Sequence, residues 1–541
     1  MIKKTTALLL FAALAVSSGC AGQNGNAASP APTTPPVILQ PTPTPAPVKG
    51  GTLRLPMPVN ADKSDPLRVN TEEMLILYSL VFESLLIVDM RGQLAPGLAE
   101  NWSCDETGAV WTIKLRSAAR WQDTGASVTA ADVVQSFNRI VSLGTASYYA
   151  YAVKRVKSME AAEDGSLVVT MKQPGLASLY ALTFPVTESA STATGNYPAG
   201  TGPFQFSYVS DDTVRLARND NWWKQAPNLE FVEFYARESN DISLASYAAG
   251  QLDMVFTSSL TVGRYRDDAN TTVLDMMTQN VEVMLVNFAN ENLRELRVRQ
   301  AIAYAIDRSR IITNVYMNRA RASDVPVPPD SWLYESKSAV YDYNTEVALA
   351  LLKEAGWQDV DEDGFLEKNG YHYDEMTLTL LVNDSTDAVR KTAAEQIKAQ
   401  LEAIGIHVEL VTAAYALGNE ESEYIQKLRS GAFDLALAGF NLGFDCSLAP
   451  YLSGSGARNY GGYSNAGIEQ LVANLNTAAT EGDYIAAASA LQMAFVEELP
   501  FITLYFRLNS VLYNSDIIGI AEMREPDVLR GIASWYASAV E

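Results

Sequence analysis

The stretch 281–312 constrains the fold of this chain more than any other part of the sequence. Its first part, VEVMLVNF, alternates large apolar residues, which is typical of a strand buried on at least one face. Its second part predicts a helix with two distinct faces. The apolar face consists of Val298, Ala301, Ile302, Ala305, Ile306 and Ile312, and the polar face of Arg297, Arg299, Asp307 and Arg308. A strand that runs directly into a helix near the middle of a long chain suggests a crossing between two lobes.

Length and charge limit the class of protein. At 541 residues the chain is too long for a single hydrophobic core, so we expect two or three packing units. The formal net charge of −23 repels phosphate backbones and argues against a nucleic-acid partner. With only three cysteines and two histidines, the sequence excludes a disulfide scaffold and a histidine-rich metal site.

The N-terminus predicts export and a lipid anchor. Two lysines precede an apolar run over residues 7–16, which is too short to span a bilayer stably. Small residues followed by Cys20 resemble the lipobox of bacterial lipoproteins, so we expect residues 1–19 to be removed and Cys20 to be lipidated. An ordinary signal peptide followed by an incidental cysteine is the alternative. Residues 20–48 are rich in proline, alanine and threonine, which predicts a semi-stiff tether.

The first half of the folded part contains several recognisable patterns in succession. A strand pattern, GGTLRL, is followed by GQLAPGLAENW, by a hairpin of the type WTIKLR and by the helix pattern TAADVVQSFNRI. Thr129 and Asp132 have the spacing of a capping box. In the same helix, Val133, Phe137 and Ile140 give the buried stripe.

The second half alternates strands and helices. The predicted elements are a strand at 377–382, a helix at 388–404, strands at 406–411 and 433–440 with a helix at 423–429 between them, and a helix at 481–498 before a strand at 500–506. Strands that alternate with helices predict a mainly parallel sheet that is covered on both faces.

These motifs, in this order, resemble family 5 of the bacterial extracellular solute-binding proteins, the peptide- and nickel-binding receptors of ABC importers. The segments LRELRVRQAIAYAIDRSRI and GTGPF are similar to family signatures, and the resemblance extends over roughly residues 50–515. It implies a two-lobed α/β fold of the type II periplasmic-binding-protein kind, with an extra subdomain in lobe one and a cleft between the lobes. The implied boundaries are lobe one at 49–280, lobe two at 281–499 and a return to lobe one at 500–541.

The resemblance also implies a binding site after the strand that ends at Phe440. Phe440 stands where the family has a tryptophan, and Gly443 stands where the family has an aspartate for the α-amino group of a peptide. Asp445, two positions later, is the candidate substitute, although a loop-solvating or helix-capping role is equally open. Asn459 and Tyr460 match positions that contact the peptide backbone, and Tyr415 is a further aromatic candidate.

One acidic pattern leaves a choice between metal binding and a simple turn. Asp359, Asp361 and Asp363 followed by Gly364 look like the start of a calcium loop. An EF-hand also needs an acidic residue at its twelfth position, which here is Gly370. The sequence therefore favours a solvated turn, and we expect no metal and no cofactor.

The cysteines and histidines give no clear site. Cys104 and Cys446 are expected to be free and partly buried thiols, with a disulfide as the alternative. His407 alternates with apolar neighbours and is expected to point off the core face of its strand, and His372 is far from it in the sequence.

The sequence predicts a binding protein rather than an enzyme. It contains no GxSxG elbow, Walker loop, HExxH motif or GxGxxG fingerprint. The resemblance implies a monomeric, lipid-anchored receptor on the outer side of the cell membrane, which closes on short peptides by a hinge and passes them to an ABC permease and its ATPase subunits. A receptor for a nickel chelate or another small solute, a peptide sensor and, further away, a cell-surface hydrolase are the alternatives.

Overall fold

The computed structural model describes residues 47–61, 65–69, 71–188, 198–368, 375–384, 388–416, 418–521, 523–525 and 527–537. The predicted signal peptide, Cys20, nearly all of the tether and His372 lie outside the described residues. The strands are β1 (Thr52–Pro58), β2 (Leu86–Val88), β3 (Leu94–Pro96), β4 (Ala99–Cys104), β5 (Val110–Leu115), β6 (Val156–Ala161), β7 (Leu167–Met171), β8 (Phe204–Val209), β9 (Thr213–Arg218), β10 (Phe231–Arg237), β11 (Met254–Thr257), β12 (Thr271–Val286), β13 (Ala320–Ala322), β14 (Trp357–Gln358), β15 (Glu367–Lys368), β16 (Thr377–Asp384), β17 (His407–Ala414), β18 (Leu435–Asn441), β19 (Phe501–Asn514), β20 (Ile517–Ile518) and β21 (Tyr536–Ala537). The helices are α1 (Glu72–Ser79), α2 (Ala130–Leu143), α3 (Ala150–Val153), α4 (Asn240–Ala248), α5 (Glu291–Arg294), α6 (Leu296–Ala305), α7 (Arg308–Asn314), α8 (Thr345–Glu354), α9 (Val389–Glu402), α10 (Glu423–Ser430), α11 (Ala449–Leu452), α12 (Ala466–Thr477) and α13 (Glu481–Glu498).

A four-stranded sheet in the order β1-β10-β9-β8 forms the centre of one packing unit. β1 runs parallel to β10, and the other pairs are antiparallel. Leu55 of β1, Leu77 of α1 and Phe234 of β10 are all buried in one apolar cluster with residues from the C-terminal segment. The predicted strand at the start of the folded part is thereby confirmed.

A second four-stranded sheet, in the order β4-β5-β7-β6, packs with α2 and is called the N-terminal subdomain below. The backbone N–H of Thr129 donates to Asp132 Oδ2 at 2.8 Å, so the predicted capping box is present. The predicted apolar stripe of α2, Val133, Phe137 and Ile140, is buried against this sheet.

The second half builds a seven-stranded sheet in the order β11-β19-β12-β18-β16-β17, with β13 added on β19. The predicted order of strands and helices is confirmed, and β16 pairs in parallel with both β17 and β18. The sheet as a whole is mixed rather than mainly parallel, because β11, β12, β13, β18 and β19 pair in antiparallel fashion. The alternation of strands and helices in the sequence did not predict the direction of the long strands β12 and β19.

The stretch 281–312 differs from its prediction in its second part. The predicted single helix is divided into α6 and α7, since Ile306 has an extended backbone. Asp307 then caps α7, its Oδ1 accepting a hydrogen bond from the N–H of Arg310 at 2.9 Å. The apolar face is buried as predicted, with Val298, Ala301 and Ile302 at 0% exposure.

Arg299 was predicted on the polar face but is buried, which corrects that expectation. Only 4% of its surface is exposed. Its guanidinium donates to the carbonyl oxygens of Leu293, Arg294, Glu498 and Leu499 at 2.6–3.1 Å. Burial lowers the pKa of Arg299, and four carbonyl partners make a buried cation tolerable there. The side chain therefore ties the end of α13 to the segment that enters α6.

The remaining predictions about reactive side chains agree with the structure where it describes them, except that Cys446 is buried and not partly buried. Cys104 and Cys446 are both free, and burial raises the pKa of Cys446 to about 12, which makes it an inert thiol. His407 is half-buried, and its ring lies 5.2 Å from that of Phe365. Within the part of the chain that the structure describes, no helix has the length and apolar character needed to cross a membrane.

Candidate functional site

A cavity of about 260 Å³ lies where β12, β19 and the end of β18 meet α1 and the C-terminal segment. We refer to it as the central cavity. Its walls come from eight separate stretches of the sequence, and the pairing of β12 with β19 brings two of them together. The lining residues are Glu73, Leu75, Ile76, Tyr148, Asn240, Phe256, Thr257, Ser258, Met276, Gln279, Asn441, Leu442, Gly443, Phe444, Asn509, Glu525 and Val528.

A β-bulge shapes the floor of the central cavity. The pairing of β12 with β19 shifts register between Met277 and Val281. Such a bulge bends a strand and turns a side chain or carbonyl away from the ladder. Gln279 lies within the bulge, and its carbonyl accepts a hydrogen bond from the N–H of Leu442 at 2.9 Å. The loop after β18 is thereby fixed beside the two long strands.

Among the residues that the structure describes, the two charged ones that line the central cavity are both acidic. Glu73 lies in the first turn of α1, and Glu525 follows β20 near the C-terminus. Asn509 of β19 donates a hydrogen bond from Nδ2 to Glu525, which orients that carboxylate. Hydroxyl and amide side chains supply the other polar groups of the lining. The cavity therefore favours a solute that carries a positive charge and several hydrogen-bonding groups.

One cation lies behind the wall of the central cavity. The guanidinium of Arg524 stacks over the ring of Phe444 at 5.2 Å. It donates to the carbonyl oxygen of Met90 at 2.7 Å and contacts Asp330 at 3.3 Å. Burial lowers the pKa of Arg524, and burial raises the pKa of Asp330. Arg524 is not itself among the lining residues, although its charge interacts with that of its neighbour Glu525.

Asp445 lies beside the position where the family has its aspartate. A Cβ atom built on Gly443 would come within 2.3 Å of Asp445 Oδ1, so the carboxylate fills the space that a side chain at position 443 would need. The loop turns sharply here, because the N–H of Cys446 donates to the carbonyl of Gly443 and Cys446 has a positive φ of 51°. The predicted substitution of one acid for the other is thus sterically consistent.

The charge of Asp445 is already paired. Arg155 Nη2 contacts Asp445 Oδ2, and only 5% of the aspartate side chain is exposed. Tyr484 donates its hydroxyl to the carbonyl oxygen of Asp445, and burial, followed by the negative charge of Asp445, raises the pKa of Tyr484. Since Arg155 precedes β6, the ion pair joins the N-terminal subdomain to the loop after β18. Capture of a ligand ammonium by Asp445 stays a prediction and would require Arg155 to release the carboxylate of Asp445.

Three other predicted residues meet at a second, much smaller cavity. Phe440, Asn459 and Tyr460 line a space of about 10 Å³, which holds about one water molecule. The ring of Phe440 is buried against Tyr451 at 4.4 Å. Asn459 accepts from the N–H of Tyr463 at 3.0 Å and donates to its carbonyl at 2.7 Å. In this arrangement Asn459 stabilises its own loop, and its predicted contact with a peptide stays a prediction.

Tyr415 is not brought to either cavity. It follows β17, is half-buried, and packs edge-on against Tyr424 at 5.7 Å. Its predicted part in ligand binding also stays a prediction.

The sequence patterns did not identify the polar residues that line the central cavity. Glu73, Gln279, Asn509 and Glu525 come from four distant segments, and none belongs to a motif with a known spacing. The run from Asn441 to Phe444 was the part of the lining that the sequence could indicate, because it directly follows a buried strand.

Comparison with known proteins decides the family. A model of the family described as bacterial extracellular solute-binding proteins, family 5 Middle, matches residues 93–460, which is more than half of the chain. The chain belongs to this family. Its fold is accordingly the two-lobed α/β fold of periplasmic binding proteins, as the sequence predicted.

Relatives within family 5 differ in what their names say they bind. The dipeptide-binding protein of Escherichia coli strain K12 is 27% identical over 382 residues, covering 64% of this chain and 68% of the relative. The nickel-binding periplasmic protein of the same strain is 26% identical over 396 residues, covering 70% and 73%. Among solved structures, an unliganded, open form of the periplasmic murein tripeptide-binding protein MppA has a TM-score of 0.79 at 19% identity, covering 91% of this chain and 98% of that one. Family 5 membership therefore establishes a solute-binding protein of the ABC-importer type.

Proposed function

We propose that this family 5 protein captures short peptides in the central cavity and delivers them to an ABC permease with its ATPase subunits. The observation that carries the proposal is the charge of the cavity, because Glu73 and Glu525 line it and no base among the described residues does. An α-ammonium group is the cation that every unmodified peptide carries. A volume of about 260 Å³ lies just below the roughly 300–1,000 Å³ of drug-sized sites and suits a short peptide.

The peptide backbone would be recognised by the uncharged polar lining. Asn240, Gln279, Asn441 and Asn509 each offer an amide group that donates and accepts, and Thr257 and Ser258 offer hydroxyls. Groups of this kind match the N–H and C=O groups of a peptide whatever its side chains are. Apolar residues and Phe444 complete the walls, so side chains would be accepted with broad tolerance.

Delivery requires the cavity to close and reopen. β12 and β19 are the two long strands that connect the parts of the molecule around the cavity, and the bulge between Met277 and Val281 interrupts their pairing. Two crossing segments with a local irregularity are suited to a hinge. Closure would remove water from around Glu73 and Glu525 and strengthen their contact with an ammonium group. This function needs no bond to be made or broken, so we propose a binding protein and not an enzyme.

We also propose that Cys20 carries the lipid that holds the protein on the outer face of the cell membrane as a monomer. The support is the apolar run that ends in Ser-Gly-Cys, followed by a tether without charged residues up to position 48. Metabolic labelling with an alkyne fatty acid should label the protein, and Cys20→Ala should remove both the label and membrane association. A labelled, membrane-bound Cys20→Ala variant would disprove this anchor.

Native mass spectrometry of freshly purified protein tests the peptide assignment. We expect added masses that correspond to short peptides and that are sequenced after release. The double variant Glu73→Gln, Glu525→Gln should lose most of the bound material. Glu346→Gln removes the same kind of charge from the exposed first turn of α8 and should retain it. A nickel chelate in place of peptides would identify a different solute, and identical loading in all variants would exclude the central cavity.

A further inference from the structure

A second group of acids lies away from the central cavity, in the turn between β14 and β15. We call it the loop acid cluster, and its members are Asp359, Asp361, Asp363 and Glu367. Each residue places one carboxylate oxygen so that all four oxygens lie within 4.8 Å of one another. Four negative charges at this distance repel each other strongly unless a cation compensates them.

Glu367 separates this cluster from an ordinary acidic turn. Its exposure is 1%, although carboxylates are rarely buried without a partner. Oε2 accepts a hydrogen bond from the N–H of Val360 at 2.8 Å. Oε1 is buried and has no hydrogen-bond partner among the described residues. A buried carboxylate that contributes an oxygen to a cluster of four acids and keeps one oxygen without a donor indicates a missing positive ligand.

The base next to Glu367 in the sequence does not compensate the cluster. Lys368 follows Glu367 directly, but its Nζ lies over the ring of Trp357 at 5.6 Å. Across the ranges that the structure describes, none of the four carboxylates forms an ion pair with a lysine or arginine. Within the described residues, the negative charge of the cluster is therefore left uncompensated.

The size and donor type identify the cation. Ca²⁺ prefers oxygen ligands at about 2.3–2.6 Å, so oxygens on opposite sides of it lie up to about 5 Å apart, in agreement with the cluster. Asp359, Asp361 and Asp363 stand at the first, third and fifth positions of a calcium loop, followed by Gly364 with a φ of 97°. The acid that is missing at the twelfth position is replaced in space by Glu367, at the ninth.

We propose that the loop acid cluster binds one Ca²⁺ ion. The ion completes the coordination of the buried Glu367 and holds the β14–β15 turn against the rest of lobe two. This turn fixes Leu366, because the N–H of Leu366 donates to the carbonyl of Gly405 at 2.8 Å. A Cβ on Gly405 would approach Leu366 Cγ to 2.7 Å, so the turn and the segment before β17 are in close contact. The ion thus has a structural role, separate from ligand capture.

Calcium titration of the chelator-treated, full-length protein tests this site. Isothermal titration should show one Ca²⁺ per chain with a Kd of about 10⁻⁴–10⁻³ M, the range of extracellular calcium modules. Glu367→Gln should weaken binding at least tenfold, because it replaces a charged ligand. Glu362→Gln is the matched control, since it removes one charge from the same loop but lies outside the cluster. It should change the Kd less than threefold.

A thermal measurement separates binding from misfolding. Ca²⁺ should raise the melting temperature of wild type and Glu362→Gln but leave that of Glu367→Gln unchanged. If Glu367→Gln fails to fold, Asp361→Asn replaces it, because Asp361 is exposed. The proposal is wrong if wild type binds no Ca²⁺ at 10 mM, a concentration about tenfold above the expected range. It is also wrong if Glu362→Gln and Glu367→Gln lower the affinity equally, which would indicate general attraction to negative charge.

Discussion

Single side chains of this protein take their roles from partners far away in the sequence. Asp445 was predicted from a resemblance, and its neighbour in the loop, Gly443, explains why it fits the space of the missing acid. Its ion pair with Arg155 was not predictable, because 290 positions separate the two residues and no pattern connects them. Helical periodicity likewise placed Arg299 on a polar face, because periodicity carries no information about the carbonyl groups that surround it.

Arg299 gives a prediction at this scale. Arg299→Leu should lower the free energy of unfolding by about 2–4 kcal/mol, because buried carbonyl groups at the end of α13 lose their donor. The measurement is urea unfolding. Arg297→Leu is the matched control on the same helix, since Arg297 is exposed and pairs with Glu295 and a surface carbonyl. It should cost less than about 1 kcal/mol. Equal losses in the two variants would contradict the assigned role of Arg299.

Helices and strands were the level at which sequence patterns worked best. The five alternating elements from 377 to 440 were predicted because each has its own apolar period and its own boundary residues. Two features were not predicted from these patterns. The division between α6 and α7 depends on Asp307 acting as a cap within a continuous apolar pattern. The mixed sheet depends on the pairing of β12 with β19, which begin 230 residues apart.

A buried ion pair that joins α9 to β12 gives a prediction at this level. Arg390 donates to both oxygens of Glu282 at 2.8 and 2.9 Å, and Glu282 is 4% exposed. Burial acts to lower the pKa of Arg390, but attraction to Glu282 outweighs it and raises that pKa. Arg390→Met or Glu282→Leu alone should cost about 3–5 kcal/mol of unfolding free energy, because each leaves one charge buried and unpaired.

A double-mutant cycle distinguishes a stabilising ion pair between Glu282 and Arg390 from two independent contributions to the free energy of unfolding. Glu282→Leu combined with Arg390→Met should recover most of the loss, since neither charge remains. The free energies are measured by urea unfolding at one pH and salt concentration. Simple addition of the two single losses would show that the ion pair does not hold α9 on β12.

At the scale of the whole molecule, the family and the two-lobed fold followed from ordered motifs, but the position of the cavity did not. The motifs lie mostly in strands, turns and helix starts, which determine architecture. The lining comes from eight separate stretches of the chain, and the pairing of β12 with β19 brings two of them together. Glu73 and Glu525, the acids on which the proposed function depends, lie 452 positions apart and outside every quoted motif.

The central claim is that the two cavity acids hold the α-ammonium group of a bound peptide. Isothermal titration with a co-purified peptide and its N-acetylated form tests it most directly. Wild type should lose affinity by roughly thirty-fold or more on acetylation, because a desolvated charge contact is worth about 2–5 kcal/mol. Glu73→Gln and Glu525→Gln should reduce this discrimination, whereas Asp445→Asn, whose charge is paired with Arg155, should retain it. Loss of discrimination in Asp445→Asn alone would place the ammonium at Asp445, and equal binding of both peptides by wild type would contradict the claim.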